Sequence, residues 1–401
     1  MRILHTSDWH VGRRFNEADV LGDLGLVLDR LEEQIAEYAV DVVAVSGDLF
    51  DRAAPPTDAV RFLSDRLQRL RQAGPKIVLI SGNHDGASRL GYGAWAAAAG
   101  GLHIITDVEQ TGAPVVIDDE HGPVHFYGIP FLDPKIDRSR FAEVPDAYAT
   151  LTSHERILDA AMDRVRASLA EHGDPRSVVL AHCFAINASR GADLSGLAEH
   201  GDLVTDSMRS IASGGIEVTP AAVFEPATYV ALGHLHSRQR LAEHIRYPGA
   251  PLAYSFSDRG PRGSWLVDLD ASGLAGVQWL ELPVPRQMST ITGTLDELLA
   301  HPSYEPLTEH WISAVLTDPV RQPHAMRRLQ ERFAYCVALE YRPAESGAPQ
   351  VRYRELLAGK RDEQLAAEFV PAMRGGVAAT EEELTLIREA FEAIRGAEVR
   401  P

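Results

Sequence analysis

Five short apolar runs in this chain each stop at a polar cluster rich in Asp, Asn or His, and this repeated punctuation constrains the fold more than any other feature. The runs end in Thr6-Ser7-Asp8-Trp9-His10, Ser46-Gly47-Asp48-Leu49-Phe50-Asp51, Ser81-Gly82-Asn83-His84-Asp85, Leu180-Ala181-His182 and Leu232-Gly233-His234-Leu235-His236. Between them lie segments with helical periodicity: Leu24, Val27, Leu28, Leu31 and Ile35, then Val60, Leu63, Leu67 and Leu70, then Ile157, Leu158, Ala161, Val165 and Leu169. Strand-length runs alternating with amphipathic helices define a layered α/β core, because parallel strands need crossovers of helix length. In such sheets functional side chains gather beyond the carboxyl ends of the strands, which is where all five clusters fall.

Taken singly, each cluster has a bland reading. Asp8 and His10 read as a helix cap and a surface side chain, and Asn83-His84 as a turn. A His directly after a buried strand, such as His182 or His234, is usually a satisfied core histidine. Taken jointly they supply two carboxylates, one amide oxygen and several imidazoles at one sheet edge, a set suited to divalent cations. In an extended segment residues two apart share a side, so Asp8 and His10 are expected to grip one cation together. Gly47 permits a sharp turn that leaves both Asp48 oxygens free, as a carboxylate bridging two cations requires. Asp51 reads either as an acceptor that orients a ligand imidazole or as the N-cap of the following helix.

The chain has 401 residues, too many for one ordinary core, so a large domain with smaller appendages is expected. We place the large domain at 1–282, a small α/β unit at 286–342 and a helical tail at 350–401. Pro283 and Pro285 mark the first junction and Pro343 to Pro349 the second. Short β pieces at Trp265 to Leu269 and Val277 to Leu282 flank the turn-like Asp270-Ala271-Ser272-Gly273 and form a hairpin closing the core. The small unit contains a strand at Trp311 to Leu316, a helix at Ala325 to Phe333 and a strand at Val337 to Tyr341. In the tail, Thr380 and Glu383 form a capping box for a helix carrying Leu384, Ile387, Phe391 and Ile394, and Gly375-Gly376 separate it from a helix around Leu365 and Phe369. Those two apolar stripes pack against the rest of this chain or against a partner helix.

A formal charge of −18 argues against binding nucleic acid through a broad basic field. It leaves open a carboxylate-rich site whose sign is reversed by bound cations. No apolar stretch approaches the roughly 20 residues of a membrane span, and Met1 to Asp8 turns polar too early for a secretory leader. Cys183 and Cys336 are the only cysteines, a usage that fits a reducing, cytoplasmic compartment.

The motifs Asp8-x-His10, Gly47-Asp48, Gly82-Asn83-His84-Asp85, His182 and Gly233-His234-x-His236 resemble the full motif set of the calcineurin-like metallophosphoesterases, in family order. The resemblance implies an α/β/β/α sandwich and two divalent metal ions, most often Mn²⁺. Asp8, His10, Asp48 and His236 would surround one ion and Asp48, Asn83, His182 and His234 the other. His84 would act on the leaving oxygen, with Asp85 orienting it. Thr6 to His10, Gly47 to Asp51, Ala231 to Gln239, Tyr247 to Pro251 and Val315 to Asp318 further resemble the nucleases that process DNA ends. That likeness implies a DNA substrate, a capping unit after the core, and a tail docked on a large coiled-coil ATPase in an assembly with two copies of each chain. Asp206 to Gly215 departs from the family pattern. The alternatives are a phosphoesterase for small phosphodiesters or phosphoproteins, and a non-catalytic scaffold that retains metals for structure.

Overall fold

The computed structural model describes residues 1–141, 150–188, 218–258, 260–343, 362–374 and 377–398. The Asp206 to Gly215 stretch lies outside them, as do residues 344–361, which hold most of the expected second break and the start of the tail, and the Gly375-Gly376 pair. The chain divides into two compact units, Met1–Pro285 and Arg286–Pro401.

In the first unit, strands β1 (Arg2–Thr6), β2 (Val42–Ser46), β3 (Lys76–Ile80) and β4 (Leu102–Ile105) pair in parallel. Hairpin β5 (Val115–Asp119) and β6 (Gly122–Ile129) begins a second sheet, followed by β7 (Arg176–His182), β8 (Tyr229–Gly233), β9 (Gln239–Arg240) and β10 (Ile245–Tyr247). Hairpin β11 (Gly263–Asp270) and β12 (Gly273–Glu281) then returns to β1 in antiparallel register. The result is two six-stranded sheets, ordered β12-β11-β1-β2-β3-β4 and β9-β10-β8-β7-β6-β5.

Alternation along the strands makes these sheets pack face to face. Ile3, Val42, Ala44, Val78 and Ile80 of the first sheet meet Val124, Phe126, Val178, Leu180, Tyr229 and Ala231 of the second in one buried cluster. The intervening residues point outward. Val179, Ala181, Val230 and Leu232 pack with Ile157, Leu158, Ala161, Val165 and Leu169 of helix α3 (His154–Glu171). Helices α1 (Leu21–Glu37) and α2 (Thr57–Gln72) are the crossovers joining β1 to β2 and β2 to β3. Right-handed crossovers place both on one face, and the inner face is taken by the second sheet. The architecture is therefore the expected α/β/β/α sandwich, with its central strands buried on both sides. The α2 stripe is shifted from its expected position: Val60 is exposed, and Ala59 takes its place beside Leu63, Leu67 and Leu70.

The second unit begins with a parallel sheet, β13 (Met288–Gly293), β14 (Trp311–Leu316) and β15 (Cys336–Tyr341), connected through α4 (Leu295–Ala300) and α5 (Ala325–Arg332). Its core is Ile291, Leu295, Leu298, Ile312, Ala314, Leu316, Leu329, Phe333 and Cys336. Strand β13 and helix α4, which opens with a Thr294–Glu297 capping box, complete the α/β unit and were not read from the sequence. The tail helices are α6 (Asp362–Met373) and α7 (Glu381–Glu398). The Thr380–Glu383 box is formed, and Arg374 grips the Glu383 carboxylate with both Nη atoms at 2.7 and 3.0 Å. Phe369, Met373, Val377 and Leu386 remain exposed. No helix among the described residues is long and apolar enough to cross a membrane, and both cysteines are buried and unpaired.

A candidate metal centre between the two sheets

The carboxyl ends of β1, β2 and β3 in one sheet and of β7 and β8 in the other lie together, and contacts join Asp8, His10, Asp48, Asn83, His182, His234 and His236 into one cluster. Ligand atoms of Asp8, His10 and His236 lie within 4.8 Å of one another, as do those of Asp8, Asp48 and His182 and those of His10, Asp48 and His84. The Asn83 Oδ1 atom is 3.0 Å from both His182 Nε2 and His234 Nδ1. Asp8, His10, Asp48, His182 and His234 are almost fully buried, whereas His84 and His236 are half-buried and Asn83 is exposed. The pocket thus has a deep polar floor and an open mouth.

The route to this convergence differs from the expectation for Asp8 and His10. Strand β1 ends at Thr6, and extended alternation does not aim these residues. Both adopt left-handed backbone conformations, with φ of 55° at Asp8 and 45° at His10, and so do Asp48 at 51° and His234 at 107°. Non-glycine residues take such angles rarely and only where the surroundings hold them. Here the two loops hold each other: the N–H groups of Asp8, His10 and Val11 donate to the carbonyls of Gly47, Asp48 and Leu49 at 3.0, 3.0 and 2.8 Å. The Asp8 carboxylate also accepts the backbone N–H of His234 at 3.1 and 3.2 Å, tying β8 of one sheet to the loop after β1 of the other. Gly82 lets the loop after β3 approach Asp48, because a Cβ there would lie 2.5 Å from the Asp48 nitrogen and 2.7 Å from its Cγ.

Hydrogen bonds fix the rings. His182 Nδ1–H donates to the Ser46 carbonyl at 2.8 Å, which aims Nε2 at the pocket, 3.4 Å from Asp48 Oδ2. His84 Nδ1–H donates to the Asp51 carbonyl at 2.8 Å. This corrects the role expected of Asp85. Its carboxylate accepts the backbone N–H groups of Leu49, Phe50 and Gly82 at 3.1, 2.8 and 2.9 Å, so it cross-links the loops after β2 and β3, and a main-chain carbonyl orients His84. Asp51 is not a helix cap, since Pro56 occupies that position for α2. Its Oδ1 is the carboxylate oxygen facing His10 Nδ1, at 3.7 Å, and it pairs with Arg13 at 3.2 Å.

The electrostatics are those of a site built around positive charge. Burial pushes Asp48 upward, but the imidazoles of His182 and His10 outweigh it and hold the carboxyl well below the usual range. Burial would lower His182, yet the Asp48 charge and hydrogen bond prevail and push it up to about 9. His10 and His234 are pushed down chiefly by burial, His234 to about 3. Burial and then the charge of Asp48 push Asp85 up to about 6.

A pair of divalent cations fits these donors. His10 Nε2 and His236 Nε2 face each other at 3.0 Å, an arrangement two neutral imidazoles favour when a cation accepts both lone pairs. Among the described residues, His234 Nε2 is buried without a hydrogen-bond partner. Oxygen and nitrogen donors without thiolate suit first-row divalent ions such as Mn²⁺, Fe²⁺ or Zn²⁺.

Other contributors escaped the sequence reading. Tyr254 packs edge-on to His10 at 5.5 Å and its hydroxyl donates to the Trp9 carbonyl. Asp258 approaches His236 Nδ1 at 3.8 Å, and Arg262 donates to the His236 carbonyl at 2.8 Å. Phe131 stacks on His234 at 6.2 Å. Lone residues in loops carry no periodic signal that would expose them.

This sandwich, with its Asp, Asn and His cluster between two sheets, is the frame of a metal-dependent phosphoesterase. Residues 1–238 match the calcineurin-like phosphoesterase model, and the chain belongs to that family. Residues 284–374 match the SbcD_C model, described as the type 5 capsule protein repressor C-terminal domain. The two domains in this order fit an SbcD nuclease subunit. Among solved structures, the virulence factor SghA with its substrate analogue salicin is 11% identical over 78% of this chain and 75% of that one, with a TM-score of 0.19. A family 1 β-glucosidase from Thermotoga maritima with isofagomine lactam is 10% identical over 84% and 82%, with a TM-score of 0.17. Superpositions of that quality define no shared fold.

Proposed function

We propose that this chain is the DNA-cutting subunit of an SbcCD-type complex, a cytoplasmic Mn²⁺-dependent exonuclease on duplex ends and endonuclease on single strands and hairpins, acting in repair, recombination and replication. The observation that carries the reading is the joint presence of the metal-ligand cluster between the sheets and an SbcD C-terminal domain after it.

Asp8, His10, Asp48 and His236 would hold one cation and Asp48, Asn83, His182 and His234 the other. When bound, the pair supplies a water acidic enough to attack at neutral pH and a positive clamp for the phosphate oxygens. The chain's own contribution is placement. Ser46 fixes the His182 tautomer, Asp85 locks the loops that carry Asp48 and Asn83, and the Asp48 Oδ1 atom accepts the His84 N–H at 2.9 Å. With one ring nitrogen held by the Asp51 carbonyl, His84 keeps its other nitrogen for the leaving oxygen, which it stabilises or protonates.

The exposed apolar residues of α6 and α7 would dock on the base of an SbcC-type coiled-coil ATPase, in a hetero-oligomer with two copies of each chain. The partner would also supply positive surface that a chain of charge −18 lacks. The test is turnover of linear duplex DNA against bis-nitrophenyl phosphate in Mn²⁺, together with copurification of a large coiled-coil ATPase. DNA cleavage that requires Mn²⁺ and Asp48 is the expected result. Cleavage of bis-nitrophenyl phosphate alone would abandon the DNA reading in favour of a small-phosphodiester enzyme.

A further inference from the structure

We propose that Arg13 is a phosphate-gripping residue at the rim of the metal centre, which holds the phosphodiester next to the reacting one and so favours polymeric nucleic acid over isolated phosphodiesters. The inference rests on the nuclease reading and adds to it a specificity residue.

Arg13 follows the loop that carries Asp8 and His10, and its backbone N–H donates to the His10 carbonyl at 2.9 Å. Its guanidinium is seated on two sides. Nη1 lies 3.2 Å from Asp51 Oδ1, and Cζ lies 5.2 Å from the centre of the Tyr254 ring. That ring in turn packs against His10 at 5.5 Å, so Arg13 stands one side chain outside the ligand cluster. Its side chain is 28% exposed, and among the described residues Nε and Nη2 make no hydrogen bond. The planar fork is therefore held in place while an edge of N–H donors is left for a ligand.

A partly exposed ion pair contributes little to stability, so the Asp51 contact alone does not account for a guanidinium at this spot. Ring and carboxylate instead remove much of the freedom a long side chain would lose on gripping a phosphate, and the guanidinium geometry matches phosphate oxygens. Offset from the metal ligands by one aromatic ring, Arg13 would meet a neighbouring phosphate of the same strand and not the reacting one. A substrate with one phosphodiester and two small arms has nothing to offer it.

The experiment compares wild type, Arg13→Gln and Arg13→Lys in Mn²⁺, with a short linear duplex and with bis-nitrophenyl phosphate, over a range of salt. Arg13→Gln is expected to raise KM for the duplex about tenfold more than for the small ester, as loss of a charge-assisted hydrogen bond implies. It is also expected to make the fall of log(kcat/KM) with log[salt] shallower by about 0.9. Arg13→Lys keeps the charge without the fork, and is expected to retain the wild-type salt slope with a KM between the other two. Equal losses on both substrates would assign Arg13 to structure and overturn the proposal. So would an unchanged salt slope in Arg13→Gln. If that variant fails to fold, Arg13→Lys decides, since an equal effect on the two KM values would again overturn it. Wild type that turns over the small ester but not DNA would sink the nuclease reading and this assignment together.

Discussion

Replacing Gly82 with alanine tests whether the loops after β2 and β3 are packed to aim Asp48. A Cβ at this position would sit 2.5 Å from the Asp48 nitrogen and 2.7 Å from its Cγ, whereas ordinary contact begins at 3.4 Å. The backbone of Asp48 cannot retreat easily, because it stands at a φ of 51° and its carbonyl accepts the His10 N–H at 3.0 Å. One of the two loops must therefore shift, and the Asp48 carboxylate, whose Cγ has to go from 2.7 Å to at least 3.4 Å, is displaced with it, straining the bond from the His84 backbone N–H to Oδ1. Overpacking of this kind costs about 1–3 kcal/mol. A ligand displaced by most of an ångström is expected to lose about 10–100-fold in metal affinity, the range seen when support of a ligand is removed. The assay is Mn²⁺ titration by calorimetry alongside thermal unfolding, with Gly276→Ala as the control, since nothing lies within 4 Å of a Cβ there. Wild-type Mn²⁺ affinity and activity in Gly82→Ala would refute the argument that this close approach positions Asp48.

Three further outcomes are expected. His84→Ala should lower kcat on any phosphodiester by about 10²–10⁴-fold, the usual contribution of a positioned acid, while Mn²⁺ content by metal analysis stays at the wild-type level. Added Mn²⁺ should raise the Tm, with about 2.7 kcal/mol of stabilisation at a hundred times its Kd, and Asp48→Ala should abolish most of that rise in a thermal scan. The third concerns acid. Arg176 bonds Asp119 through both Nη atoms at 2.6 and 2.9 Å and, with the N-terminal ammonium, holds its carboxyl well below the usual range. A depressed native pKa gives stability that is present above the unfolded value of about 3.9 and is lost as pH falls through the native one. Urea midpoints of wild type and Asp119→Asn should therefore differ at neutral pH and converge in strong acid; a constant difference would show that the pair does not titrate as described.

The sequence made the sandwich legible because its strands are buried on both faces, and runs such as Val42 to Val45 and Ile77 to Ile80 stand out without any tertiary knowledge. The returning hairpin was legible from its short β pieces on either side of the Asp270–Gly273 turn. Strands β5 and β6 were not, since Asp118 and Asp119 in one and Pro123 and His125 in the other interrupt the apolar signal. The ligand residues could be read because Asp, Asn and His repeat after each strand. Their supports could not, because a hydrogen bond to a main-chain carbonyl leaves no trace in residue types. His84 turned to the Asp51 carbonyl and Asp85 to three backbone N–H groups, although the sequence offers Asp85 as the nearer carboxylate.

That exchange points to how this pocket is stabilised. Four of its non-glycine residues, Asp8, His10, Asp48 and His234, have positive φ, each at a cost of about 1 kcal/mol or more. Three loop-to-loop backbone bonds and the Asp8–His234 bond return about 0.5–1.5 kcal/mol each. On these figures the bonds at best offset the strain, so the pocket adds no net stability of its own. The sheets must supply it, through the cluster of Ile3, Val42, Val78, Phe126, Val178, Tyr229 and their neighbours directly beneath. Strain at the strand ends is thus tolerated because the strands themselves cannot move. The ligand geometry accordingly belongs to both sheets at once: the Asp8 carboxylate that faces the cation pocket is also what anchors the end of β8 in the opposite layer.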